Sequence, residues 1–388
     1  VQGVGIAERA YQQALAYAQD RRQGRAPDAD GPAPHPIIEH PDVRRMLATM
    51  KAKTEAARAI CYLCAVSADE AEHEESEEDR AYAKRREEFL TPIAKAWSTD
   101  VGVEVSSLGI QVHGGMGFIE ETGAARYLRD ARIAPIYEGT NGIQAMDLVG
   151  RKMMDGGEMA TRMIEEVLDG AKAAQAAMPD LARAVWDAAE TLREATSAML
   201  EAEAQDRFAG AVPYLAAFAR VLGAHYHLIA ARKGDEARKR LASIFVTRVL
   251  PRNAGDLAEA RAGWADLDAL PDAAFAGAFG DAGTELVIED VIVGDGAEAV
   301  AGGNVTVHYV GVDFENGEQF DSSWDRGESI SFPLNGLIQG WQEGIPGMKV
   351  GGRRRLTVPP ALAYGPEGAG HRLSGRTLVF VIDLLGVG

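Results

Sequence analysis

The chain has 388 residues and a formal net charge of −18, a length that suits two or three domains. Hydrophobic residues make up 46% and charged residues 25%, which excludes a wholly disordered chain. The acidic balance speaks against a nucleic-acid or anionic-membrane partner, since both select basic surface.

The opening stretch VQGVGIAERAYQQALAYAQD reads as an amphipathic helix rather than a signal peptide. No apolar run approaches the roughly 20 residues that span a bilayer. The first residue, Val1, is not Met, which reads as a fragment or a processed product. Two cysteines, Cys61 and Cys64, make no disulfide framework, and a cytoplasmic location is the default. Their CxxC spacing on one helix face reads as packed thiols, with a redox or metal pair as the alternative.

Up to about residue 280, Ala, Leu, Glu and Arg dominate and apolar residues recur at helical spacing, as at 41–66, 86–114, 184–204, 212–233 and 235–250. Such faces can only be buried against one another. The acidic run DEAEHEESEED (69–79) reads as a solvated interhelical loop, with metal binding at His73 as a minor alternative.

Beyond residue 280 the pattern turns to β-rich runs at 304–312, 329–334, 353–359 and 377–385, separated by Gly-rich turns and one short helix, IQGWQEGIPGM. Lys and Arg number 33 against 44 Asp and Glu up to residue 282, and 7 against 14 after it, giving −11 and −7 of the total −18. The expected organisation is a helical domain over 1–152, a helical extension over 153–276, a linker over 277–283 and an α+β domain over 284–388.

The last domain resembles FKBP-type peptidyl-prolyl cis-trans isomerases along its whole length. The motifs VTVHYVG (305–311), GEQFDSSWDRG (317–327), LIQGWQEGIPGMKVGGRRRL (337–356), LAYG (362–365) and TLVFVIDLL (377–385) carry the likeness. It implies a twisted antiparallel sheet around one short helix. It also implies an apolar pocket for X-Pro peptides of protein clients, with no cofactor. Position by position it places Tyr309, Phe320, Asp321, Ile330, Phe332, Leu337, Ile338, Trp341, Tyr364 and Phe380 around that pocket. Trp341 would be the floor. The Ile338 N–H and the Tyr364 hydroxyl would bind substrate carbonyls. Asp321 would be the polar wall, held by Arg326 or Tyr309. Leu373-Ser374-Gly375 stands where the family often has Ile-Pro-Pro or Ile-Pro-Gly, and Leu373 is expected to supply the apolar wall. His371 is expected to be exposed and not catalytic.

The densest motif of the helical part, QVHGGMGF (111–118) followed by LRDARIAPIYEGTNGIQ (128–144), resembles the C-terminal region of flavin-dependent acyl-CoA dehydrogenases. The extension is similar to that of a longer, methylthiopropionyl-CoA dehydrogenase-like branch. The likeness implies FAD, an acyl-CoA substrate and a homo-oligomer packed through the helices. Glu138 would be the base that removes the proton α to the thioester, a role that needs a desolvated pocket to raise its pKa. Gly139 would allow close approach. Thr140 would cap the next helix and offer N–H groups to a pyrophosphate. Gln111, Gly114 and Gly115 would meet the adenosine-diphosphate part of another subunit's FAD, and Arg21 its pyrophosphate. His113 is expected to pack or to neighbour the flavin, not to bind metal. The family places an N-terminal helical domain and a middle β-domain ahead of this region, roughly 300 residues at ordinary domain sizes. The leading reading is therefore a prolyl isomerase joined to a truncated dehydrogenase module. The alternatives are an acyl-CoA dehydrogenase whose N-terminal domains are absent from this chain, and an oligomerisation scaffold with a vestigial flavin site.

Overall fold

A computed structural model describes residues 1–27, 29–269 and 285–388. The expected linker (277–283) and the end of the extension lie outside the described residues. The chain divides into two compact units, Val1–Leu267 and Asp268–Gly388.

The first unit is helical. Its opening helices are α1 (Gln2–Asp20), α2 (Pro41–His73) and α3 (Glu77–His113). On α1, Ala7, Ala10, Ala14 and Ala18 recur every three or four residues, and all four are buried. These small side chains let α1 lie close along α3. The acidic run 69–79 is not a loop. It is the last turn of α2 and the first of α3, with the break confined to 74–76. The second helix can start there because the Ser76 hydroxyl accepts the Asp79 N–H and three acidic residues face the helix N-terminus. His73 bonds the Asp69 carbonyl within its own helix. Among the described residues no cluster of His, Cys, Asp and Glu is placed to hold a metal, and no helix is long and apolar enough to cross a membrane.

Three short helices follow, α4 (Gly115–Phe118), α5 (Ala124–Ala131) and α6 (Asn141–Asp147). The extension contributes α7 (Glu158–Ala174), α8 (Pro179–Glu201), α9 (Ala204–Ala209), α10 (Ala211–Lys233), α11 (Glu236–Ile244), α12 (Asn253–Ala260) and α13 (Ala265–Asp268). The stretch 235–250 is not one helix, because a π-turn over Phe245–Val249 follows α11. α10 is apolar on nearly every side, with Tyr214, Phe218 and Leu222 in the core. It packs against α2, α7, α8 and α12. Both parts of the unit thus share one continuous core. The His227 ring bonds the Ala52 carbonyl at 2.9 Å, which ties α10 to α2. Lys53, almost wholly buried, pairs with Glu104, which Arg252 also reaches at 3.3 Å.

The second unit is an antiparallel sheet wrapped on one short helix, Gln339–Gly344. Its strands are β1 (Val287–Ile292), β2 (Asn304–Asp313), β3 (Gln319–Ser322), β4 (Ile330–Pro333), β5 (Arg353–Val358) and β6 (Leu378–Val387). The order is β1-β5-β6-β2-β3, with β4 paired to β2. β2 alternates buried and outward residues along its length, as a half-buried strand must. β1 lacks this signature because it lies at the sheet edge with all six residues exposed. Gly340 sets the height of the helix above the sheet, since a Cβ there would lie 2.3 Å from the Val358 side chain. That close approach seats the next residue, Trp341, in the core.

Candidate functional site

Trp341 is 4% exposed and stands at the centre of a box of rings. Tyr309 on β2 meets it edge-on at 5.1 Å and 89°, Phe380 on β6 at 5.2 Å and 88°, and Phe332 on β4 at 6.3 Å and 87°. Phe320 on β3 packs edge-on against Phe380 at 5.6 Å. Edge-to-face pairs of this kind fix ring orientation beyond what burial alone would do. Phe320, Ile330, Phe332, Leu337, Ile338, Tyr364 and Leu373 are all half-buried around this core. The structure therefore brings every expected apolar residue to one place, with Tyr309, Trp341 and Phe380 buried and the others half-buried around them.

The polar wall is a three-residue knot. The Tyr309 hydroxyl donates to Asp321 Oδ2 at 2.5 Å, and Arg326 donates to Asp321 Oδ1 at 2.5 Å. Arg326 also donates to the Tyr309 oxygen at 3.1 Å and lies over the Tyr309 ring. Partial burial works to raise the Asp321 carboxyl, but the two donors outweigh it and hold the group below the usual aspartate range. Burial, and then the bond to Asp321, push the Tyr309 phenol up, so it remains a donor throughout the neutral range.

Ile338 is the N-cap of the short helix, where the first N–H groups have no partner within the helix. Tyr364 follows the turn Pro360–Leu362 and stacks face to face on His371 at 3.9 Å. Burial, and then the Asp321 charge, raise the Tyr364 phenol. His371 is exposed, as expected, but it is a ring support for Tyr364. Sequence reasoning misses Ser323 and Arg372. The buried Ser323 hydroxyl accepts the Tyr309 N–H at 2.7 Å, and Arg372 donates to the Phe320 carbonyl at 3.1 Å. Ser323 sits inside the DSSWDRG run, whose neighbours drew attention to themselves by chemistry that a serine lacks. Arg372 carries no local signal, because its partner is 52 residues away.

In the helical unit, Arg21, Gln111, Gly114 and Gly115 line one cleft of about 620 Å³, together with Gln23, His40 and His113. Gly114 has φ +61°, and a Cβ added to it or to Gly115 would meet nothing within 4 Å. The His113 ring, which lines this cleft, stacks on Tyr17 at 4.3 Å, and its Nδ1 bonds the Gly109 carbonyl. Thr140 lies outside that cleft. It caps α6 by accepting the Ile143 N–H at 3.3 Å. Glu138 lines a separate hollow of about 460 Å³ with Cys61, Cys64 and Lys95. Its backbone has φ 56°, a left-handed conformation that is uncommon and costly for a residue with a Cβ. The desolvated pocket that a base of this kind needs is not built around it, because Glu138, Gly139 and Thr140 are all exposed. Cys61 and Cys64 are free, half-buried thiols, and burial raises the Cys64 thiol.

Three family models match the chain. Residues 1–154 match the acyl-CoA dehydrogenase C-terminal domain, 160–271 the acetyl-CoA dehydrogenase C-terminal-like domain, and 296–385 the FKBP-type peptidyl-prolyl cis-trans isomerase. An FK506-binding protein of Corynebacterium glutamicum is 76% identical over 106 residues, which are 27% of this chain and 90% of that protein. An FK506-binding protein of Streptomyces anulatus is 50% identical over 30% of this chain and 96% of its own length. The 3-methylmercaptopropionyl-CoA dehydrogenase of Ruegeria pomeroyi is 49% identical over 226 residues, 55% of this chain. The chain spans only 38% of that dehydrogenase's length.

The Asp321 knot has a measurable consequence. A carboxyl held low in the folded chain contributes stability that is complete above its unfolded pKa and is lost as pH falls through the folded value. Arg326→Ala with Tyr309→Phe removes both donors and lets the Asp321 pKa rise. The Asp321 carboxyl resonance, followed by NMR against pH, is expected to titrate at higher pH in the double variant than in the parent. An unchanged midpoint would show that the knot does not set the charge.

Proposed function

We propose a residue-level mechanism for a chain that belongs, through its C-terminal domain, to the FKBP-type peptidyl-prolyl cis-trans isomerase family. The chain joins that isomerase domain to a segment of acyl-CoA dehydrogenase C-terminal type. The perpendicular ring box around Trp341 carries the assignment of the site. Rotation about an X-Pro bond is slow because amide resonance keeps the bond planar, with a barrier of about 18–20 kcal/mol. Resonance places negative charge on the carbonyl oxygen and double-bond character in the C–N bond. The twisted amide loses that charge separation. A dry aromatic pocket therefore disfavours the planar form relative to the twisted one.

The proline ring lies on the Trp341 face, between Tyr309 and Phe380, with Phe320, Ile330, Phe332 and Leu337 excluding water. The Ile338 N–H and the Tyr364 hydroxyl each donate to a substrate carbonyl and hold the peptide on both sides of the rotating bond. Asp321 stays ionised and fixed, so its charge cannot swing into the pocket and solvate the amide. No group gives up or gains a proton. Tyr364→Phe keeps the ring and its stack on His371 and removes one carbonyl donor. It is expected to lower kcat/KM for a short X-Pro peptide by ~10-fold, the worth of about 1.4 kcal/mol in the transition state. Phe320→Ala is expected to cost at least as much by admitting water. Activity equal to that of the parent in both variants would remove this pocket from the reaction.

The helical unit we assign to cofactor contact and assembly. The Gly114–Gly115 cradle and the Arg21 charge fit the diphosphate-bearing half of FAD. FAD held there would supply a hydride acceptor for the β-carbon of an acyl thioester. The residues around Glu138 do not fit the ring half by themselves, and oxidation of an acyl-CoA would need walls beyond these residues. The Glu138 side and the Arg21 cleft lie apart on one chain, which favours completion by a second copy. Phe118 and Met154 are 84% and 77% exposed, and Ile133, Ile136 and Ile143 are each at least half exposed. Large apolar side chains left this exposed support our reading of a contact with a second copy. Size-exclusion chromatography of the full chain with flavin detection is expected to show an oligomer that carries flavin after incubation with FAD. A colourless monomer would overturn both assignments.

A further inference from the structure

α1 and α2 meet α11 of the extension along a cleft of about 770 Å³, a volume that suits a small organic ligand. Its floor is aliphatic, from Leu15, Ile38, Leu47, Leu241 and Ile244. Its rim carries Arg44, Arg45, Lys51, Arg238, Arg240 and Arg248. These six cations outnumber the four carboxylates among them, Asp42, Glu55, Asp235 and Glu236, so the rim is net positive in a chain of net charge −18. Four of the cations have carboxylate neighbours. Arg45 pairs with Asp42 at 2.7 Å, Lys51 and Arg238 with Glu55 at 3.5 Å each, and Arg240 with Glu236 at 3.7 Å. Among the described residues Arg44 and Arg248 have no carboxylate partner. Asp235, which also lines the cleft, spends one oxygen accepting the Arg238 N–H at the start of α11. None of these residues belongs to the prolyl pocket or to the Arg21 cleft.

We propose that this cleft binds a single-chain amphiphile with a phosphate head group. The aliphatic floor takes the chain, since burying it is favourable in proportion to the area removed from water. The rim takes the head. Five of the six cations are arginines, whose planar forks match phosphate oxygens in pairs. A polymeric polyanion is disfavoured by the acidic remainder of the chain, and inorganic phosphate alone would leave the floor unused.

Isothermal titration of the full chain with dodecyl phosphate below its micelle concentration tests this. Binding with one-to-one stoichiometry is expected, with none for decyl maltoside or inorganic phosphate. Arg44→Glu with Arg248→Glu, both at exposed positions, is expected to weaken binding by ~10-fold or more. Ala237→Trp, which fills the cleft without changing its charge, is expected to weaken it as well. Unchanged X-Pro isomerase activity and melting temperature in these variants would show that the fold is intact. Equal affinity for decyl maltoside, retention of affinity after charge reversal, or no binding up to roughly 1 mM would overturn the proposal. Dodecanoate binding as tightly as dodecyl phosphate would overturn the phosphate assignment.

Discussion

The C-terminal domain is organised around the nearly buried indole of Trp341, which meets rings carried by β2, β4 and β6 edge-on. The short helix can bring it there only because Gly340 leaves no side chain between helix and sheet. The three rings that meet Trp341 edge-on then have their positions set by strand register, with Tyr309 opposite Ile382 and Gly311 opposite Phe380 across the β2–β6 pair. Two further consequences follow. The walls of the pocket are the residues left half-buried once the floor is fixed. Their polar side is closed by Asp321, whose charge is pinned by Tyr309, one of the floor's own neighbours. A single side chain thus takes part in both the apolar and the electrostatic halves of the site.

The helical unit works by a different logic. Its core is continuous from α1, α2 and α3 through α6, α7 and α8 to α10, α11 and α12. Its candidate cofactor residues, by contrast, stay at the surface, with Arg21, Gln111, Gly114 and Gly115 on one cleft and Glu138 and Thr140 outside it. A prolyl isomerase pocket is complete on one small sheet because the reaction needs only a dry surface and two donors. A flavin site needs a wall on each side of an extended molecule, and the residues from Arg21 to Thr140 supply parts of it. The left-handed backbone at Glu138 is the one local feature that marks that region as special among the described non-glycine residues.

How much of this was legible in the sequence differs by element. The strands β2, β4, β5 and β6 and the short helix show in alternation and turn chemistry, and the pocket residues show through ordered motifs of fixed spacing. β1 does not show, because an exposed edge strand has no buried face to impose alternation. The acidic run at 69–79 misleads, because charge reads as loop while a serine cap and the helix dipole make it helical. Arg372 and Ser323 are silent because their roles depend on contacts made by the fold. The same holds for the cleft between α2 and α11, whose cations come from 44–51 and 238–248 and meet only once α10 has carried the chain back across the core. The desolvation of Glu138, a need of the chemistry, is not met by the neighbours the chain provides.

The account rests on Trp341 as the surface on which the X-Pro bond turns. The most direct test is exchange spectroscopy by NMR on a short X-Pro peptide, with the full chain and with its Trp341→Leu variant at catalytic concentration. The account requires cis–trans exchange to be fast with the parent chain and to fall close to the uncatalysed rate with the variant, while a circular dichroism melt shows both chains folded. Exchange as fast with a folded Trp341→Leu chain as with the parent would contradict it.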